Sequence, residues 1–184
     1  MDQMGFYEVF PNVNADSDLS TALSDATITK VATGRSKDDI HIYVTFNTLI
    51  PKRRIWSLEK SIKKQFFPNN GVTISIFEDF DLSSQYTPSN LLSSYNDSIL
   101  EELEEKSALL FNIYKKADIE FPDNDSLKVT IEDTLIGKEV EGELYDLLSK
   151  ILCHRCHMNV KIEFDYKEPA KNKYLENAKL EIEN

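Results

Sequence analysis

Thr48-Leu49-Ile50 and Val72-Thr73-Ile74-Ser75-Ile76 bracket one segment of this chain, and Thr134-Leu135-Ile136 and Met158-Asn159-Val160-Lys161-Ile162 bracket another. The openings are 134 − 48 = 86 residues apart and the closing isoleucines 162 − 76 = 86, so the two segments align without a gap. At that offset Lys52 meets Lys138, Leu58 meets Leu144, Ile62 meets Leu148, Lys64 meets Lys150 and Phe66 meets Leu152. Helix-face apolar positions and the alternation of the last strand stay in phase together, which predicts a duplicated α/β unit. The preceding strands do not keep step. Ile40, Ile42, Val44 and Phe46 differ by one in parity from Leu127, Val129 and Ile131. A one-residue bulge would reconcile them, and so would unrelated ancestry.

Working outward, each unit reads β-β-α-β. Thr27–Thr33 alternates loosely, 34–39 is a polar hairpin loop, and Ile40–Phe46 alternates cleanly with His41 on its polar side. Pro51 suits a first helical turn, and Ile55, Leu58, Ile62 and Phe66 form one apolar stripe ended by Pro68-Asn69-Asn70-Gly71. Glu78–Gln85 reads as a polar connector, and Thr87-Pro88 opens a helix with Leu91, Leu92, Tyr95, Ile99 and Leu103 inward. Glu101, Glu102, Glu104 and Glu105 oppose the macrodipole at its far end, so it should break near Lys106-Ser107. Ser107 then caps a second helix carrying Leu109, Leu110, Ile113 and Tyr114. A hairpin of Ile119–Phe121 and Leu127–Ile131 follows. Next come a helix with Leu144, Leu147, Leu148, Ile151 and Leu152 inward, and a strand over Met158–Tyr166. The expected fold is α+β. Two tandem units, 1–80 and 81–166, each carry a three-stranded sheet backed by helices and are joined by a helical segment; 167–184 is a linker leading toward further domains.

Composition narrows the function. The chain has 184 residues, a net charge of −11 and only two cysteines. Non-specific nucleic-acid binders neutralise phosphates with Lys and Arg, so this balance makes nucleic acid a doubtful partner. No apolar run approaches the ~18 residues of a membrane span, and Met1-Asp2-Gln3-Met4 lacks the pattern of a signal peptide. A cytoplasmic protein is expected, without membrane attachment.

Little chemistry is marked out. Cys153-His154-Arg155-Cys156-His157 gathers two thiols and two imidazoles, but a structural zinc site takes a second ligand pair from elsewhere, and His41 is the one remaining histidine. The plainer reading is a helix end with one partly buried thiol. Gly137 and Gly142 have phosphate-loop spacing, yet Glu143-Leu144 stands where Lys and Ser or Thr are required. No nucleophile–base pair is spaced for catalysis, so no catalytic residue, metal or cofactor is expected. Two candidate partner-binding surfaces remain. One is the basic strip Arg53, Lys60, Lys63 and Lys64, which reads either as a solvated helix side or as a seat for an acidic partner. The other is Phe6, Val9 and Phe10, with Phe6 and Phe10 either capping the core or forming an exposed docking peptide.

Several stretches resemble the N-terminal region of the PolC-type DNA polymerase III alpha subunit, the replicative polymerase of low-GC Gram-positive bacteria. They are Leu49-Ile50-Pro51-Lys52, Leu82-Ser83-Ser84-Gln85-Tyr86-Thr87-Pro88, Asp97-Ser98-Ile99-Leu100, Glu132-Asp133-Thr134-Leu135-Ile136 and Cys153-His154-Arg155-Cys156. The resemblance implies a non-catalytic accessory region of a DNA-directed DNA polymerase, built of units like KH type II domains. It also implies docking to replisome proteins, the clamp-loader tau subunit first among them. The alternative it leaves is a KH-like module for single-stranded nucleic acid. The Gly-x-x-Gly loop with which KH domains clamp a strand is missing from both units.

Overall fold

The computed structural model describes residues 3–36, 38–69 and 71–169. Most of the linker expected over 167–184 lies outside them. The first sheet has strands β1 (Met4–Gly5), β2 (Thr27–Thr33), β3 (Asp39–Phe46) and β4 (Thr73–Phe80) in the order β1-β2-β3-β4. The second has β5 (Asp118–Glu120), β6 (Ser126–Glu132) and β7 (Lys161–Lys167) in the order β5-β6-β7. In each, an antiparallel hairpin leads into a helical crossover to a parallel strand: α3 (Lys52–Phe66) in the first, α6 (Leu135–Ser149) in the second. This is the β-β-α-β plan read from the repeat, in an α+β fold. One detail is corrected: the first sheet has four strands, because Met4 and Gly5 pair with Ile28 and Thr27.

The parity conflict has a different cause from the one expected. Strands β3 and β4 pair without a register shift, as do β6 and β7. Ile42 lies opposite Ile76 and Leu127 opposite Ile162, so the inner residues correspond at 127 − 42 = 85 in one strand and 162 − 76 = 86 in the other. The odd residue therefore sits in the connections. A bulge does occur, but in β2, where Thr29 is skipped between the pairs Ile28–Val44 and Lys30–Tyr43. It turns Val31 to the same face as Ile28, which explains the loose alternation there.

Helices fill the space over the inner faces. Helix α1 (Phe6–Val9) and α2 (Ser17–Ser24) close the first unit, where Asp16 caps α2 by accepting from the Leu19 amide at 2.9 Å. Helix α4 (Pro88–Lys106) begins with a reciprocal cap, the Thr87 amide donating to Asn90 Oδ1 and the Asn90 amide to Thr87 Oγ1. It ends at Lys106, where expected, and Ser107 caps α5 (Ala108–Lys115). Leu91, Leu92, Tyr95, Ile99 and Leu103 are all buried, and one continuous apolar core runs from Phe6 through α4 to Leu152 and Val160.

Leu109 of α5 and Tyr166 of β7 point outward, 44% and 38% exposed. The twin tripeptides also part company. Ile50 is buried in the loop before α3, whereas Leu135 and Ile136 form the first turn of α6 and are 82% and 51% exposed. Pro51 is the N-cap of α3 rather than its first residue. Gly137 in α6 has a steric reason: a Cβ there would stand 2.8 Å from the Glu132 carbonyl oxygen.

Candidate functional site

Strand β4 is the free edge of the first sheet. The Thr73 amide donates to Asp38 O at 2.8 Å and the Asp81 amide to Phe46 O at 2.9 Å, so the odd-numbered residues of the strand bond inward. Backbone groups alternate in direction along a strand, which turns those of Ile74, Ile76, Glu78 and Phe80 toward the open edge. The Ile76 amide meets Glu59 Oε1 of α3 at 2.7 Å. Burial pushes the Glu59 carboxyl above its ordinary range, and the Ile76 amide pulls the other way.

A groove follows this edge. Helix α3 buries Lys52, Ile55, Leu58 and Ile62, and its next row of residues forms one wall. A cavity of about 400 Å³ is lined by Trp56, Glu59, Lys60, Lys63, Thr73 and Glu105 among others. A second, of about 620 Å³, continues from Trp56 and Glu59 past Phe77 and Asp79 to Lys150, His154 and Arg155. Lys60 and Lys63 are exposed and Glu105 stands across from them. Across the strand, Phe77 stacks on Tyr43 with centroids 4.9 Å apart, His41 tilts against it at 5.0 Å, and Lys30 lies over Tyr43 at 5.2 Å. These rings occupy one another's faces.

Beneath the far end of the groove four charges meet. Lys52 Nζ lies 2.7 Å from Glu78 Oε1, and Arg155 Nη1 lies 2.9 Å from the same oxygen. Arg155 also grips Glu102 in a two-pronged pair, with Nη2 at 2.7 Å from Oε2. All four side chains are at most 10% exposed. Burial works against the Arg155 charge, but the bonds to Glu102 and the field of Glu78 outweigh it and raise its pKa. Lys52 and Glu78 belong to the first unit, Glu102 and Arg155 to the segment after it. Burying charges is tolerable only when each is paired and hydrogen-bonded, and the Arg155–Glu78 contact ties the segment after the first unit to β4.

The expected surface residues separate. Arg53, with its side chain 78% exposed, is tied to Glu101 of α4. Lys60 and Lys63 line the groove, while Lys64 is exposed outside its lining. Phe6 and Phe10 are corrected as surface candidates: they are 0% and 6% exposed, and Phe10 packs against Phe66 at 5.3 Å. Their apolar area is spent inside the first unit, leaving no exposed docking peptide. In the Cys-His-Arg-Cys-His run, a π-helical turn over Lys150–Arg155 sends the side chains different ways. Cys153 Sγ donates to Val160 O at 3.7 Å, and Cys156 is buried, its thiol pushed up to about 12. His157, in a left-handed conformation with φ of 54°, reaches Asp79 at 2.7 Å. Among the described residues, no three His, Cys, Asp or Glu side chains gather as for a metal. No helix among them is long and apolar enough to cross a membrane.

The sequence reading passed over Trp56, Glu59, Glu78, Arg155 and Glu102. Glu78 had a signal, standing in phase with Ile74, Ile76 and Phe80. Taken for the start of a connector, it is an inward-facing residue of β4, which runs on to Phe80. Comparison with known proteins adds one finding. No curated protein matches the chain, but residues 5–76 match the family model described as DNA polymerase III polC-type N-terminus I. The matched stretch runs from β1 into β4 and includes Trp56, Glu59, Lys60 and Lys63. Over residues 5–76 the chain is therefore similar to the DNA polymerase III polC-type N-terminus I family.

Proposed function

We propose that this chain is a docking module that attaches a replicative polymerase to its replisome partners, the clamp-loader tau subunit first among them, in the cytoplasm. The family is that of an N-terminal region of a polymerase, so the segment itself is non-catalytic and polymerase chemistry belongs to the parent. The family match over residues 5–76 carries the reading. It is supported by a body with one continuous apolar core and an open strand edge, since a docking surface works best when its geometry is fixed before the partner arrives. The test is co-elution of this chain with tau from the same organism at tens of micromolar. A complex is the expected outcome, and two separate peaks would count against the reading.

A KH-like role on the helical strip is the second reading, favoured by exposed Lys60, Lys63 and Lys64. Arg53 is already engaged by Glu101, and the body carries −11. Binding to single-stranded DNA at physiological salt, falling steeply as salt rises, would favour this second reading.

A further inference from the structure

We propose that residues 174–182, in the stretch beyond the described residues, pack as a helix on the first turn of α6, over Leu135 and Ile136. The proposal stands apart from the docking role, and the occupant belongs to this chain itself.

The two units follow one plan, and the first shows what the second needs. There the helix after the last strand lies against the start of the crossover helix. The Lys52 amide of α3 donates to Ser98 Oγ of α4 at 3.0 Å, and Arg53 of α3 pairs with Glu101 of α4. Just before these contacts Leu49 is half-buried and Ile50 buried. Leu135 and Ile136 stand at the same two positions of the second unit, 135 − 49 = 86 residues on, but both are exposed. Leu109 of α5 extends the patch, one turn from Asn112, which lines a small cavity with Thr134 and Gly137. Adjacent apolar side chains left in water at one place mark a surface that something covers.

The chain leaves β7 beside this patch. Lys167 O accepts from the Asp133 amide at 2.8 Å, two residues before Leu135, and Lys167 Nζ donates to Lys116 O at 2.9 Å. Residues 81–87 separate β4 from α4, and a connection of the same length past Lys167, 168–174, leads to Leu175. An apolar series begins at that point: Tyr174, Leu175, Ala178 and Ile182 recur at helical spacing. So short a tether holds the helix beside the patch at an effective concentration on the order of millimolar. The stretch 170–184 has three lysines and three glutamates, so the acidic body does not repel it. A second copy of the chain carries −11 against −11 and is repelled. The expected linker is then in large part a helix seated on the second unit, as α4 is seated on the first.

The test is amide hydrogen exchange on the full chain, read by mass spectrometry against a free peptide of residues 170–184. Amides of 174–182 should exchange about tenfold more slowly in the chain than in the peptide, and equally so when the chain concentration is raised about tenfold. Leu135→Asp with Ile136→Asp changes only exposed side chains of α6. It should bring those rates to within about twofold of the peptide's while β6 stays protected. Ala178→Pro, which a helix interior excludes, should release the segment in the same way. Peptide-like rates at 174–182 in the unaltered chain would overturn the proposal, and so would protection that survives either variant. Protection that grows with chain concentration would give the patch to a second copy, and protection that appears only with added tau would give it to another protein. Either result overturns the proposal.

Discussion

Replacing Arg155 with Met tests the ionic joint directly. Methionine keeps an apolar stem of similar reach and removes the guanidinium. Glu78 would keep Lys52 at 2.7 Å, but Glu102, its side chain 9% exposed, would lose the two-pronged partner that holds it. Breaking a buried pair from one side costs about 3–5 kcal/mol, because the remaining charge is neither solvated nor paired. With a urea dependence of about 2 kcal/mol per molar, the unfolding midpoint of Arg155→Met should fall by about 1.5–2.5 M. The companion variant, Arg155→Met with Glu102→Met, removes both charges and should recover most of that loss, since apolar replacement of a complete buried pair is often neutral or better. Urea unfolding followed by circular dichroism measures both. A drop below about 0.5 M for the single variant, or a double variant no better than the single one, would refute the assignment of the joint as a buried, interdependent cluster.

Other outcomes follow from local features. Thr87→Ala removes the side-chain acceptor of the Asn90 amide at the start of α4 and should cost about 1 kcal/mol in thermal or urea unfolding. Gly137→Ala would push a methyl to 2.8 Å from the Glu132 carbonyl oxygen and should cost about 1–3 kcal/mol. The Cys156 thiol is raised from 9.0 to about 12 by burial, so the folded state holds its proton longer than the unfolded one. That contribution is complete below pH 9 and is lost as pH rises toward 12. Cys156→Ala should therefore flatten the alkaline decline in stability measured by urea unfolding between pH 8 and 10.5.

Local periodicity made much of the fold legible. The stripe Ile55, Leu58, Ile62 and the run Leu91, Leu92, Tyr95, Ile99, Leu103 are buried as their spacing requires, and the four glutamates of α4 marked its end at Lys106. Features that depend on partners far along the chain were not legible. The two-residue β1 exists because Met4 and Gly5 meet β2 across more than twenty positions, and no pattern of two residues can announce that. The bulge at Thr29 was visible only as poor alternation. At the candidate site, the lysines of α3 stood out by charge, yet nothing in the strip separated Lys60 and Lys63, which face the groove, from Lys64, which does not. Glu102 and Arg155 lie 53 positions apart, so no local pattern pairs them. Arg155 was hidden further by the π-helical turn, which breaks the 3.6-residue rhythm from which its direction would have been inferred.

That joint also limits how such a chain can change over time. Lys52 and Glu78 come from one half, Glu102 and Arg155 from the other, so a half transplanted into another protein would arrive with an ion pair laid bare on what had been its inner side. Because the Arg155–Glu78 link spans the seam, neither half is portable unchanged. Drift at any one of these positions then calls for a matching change across the seam.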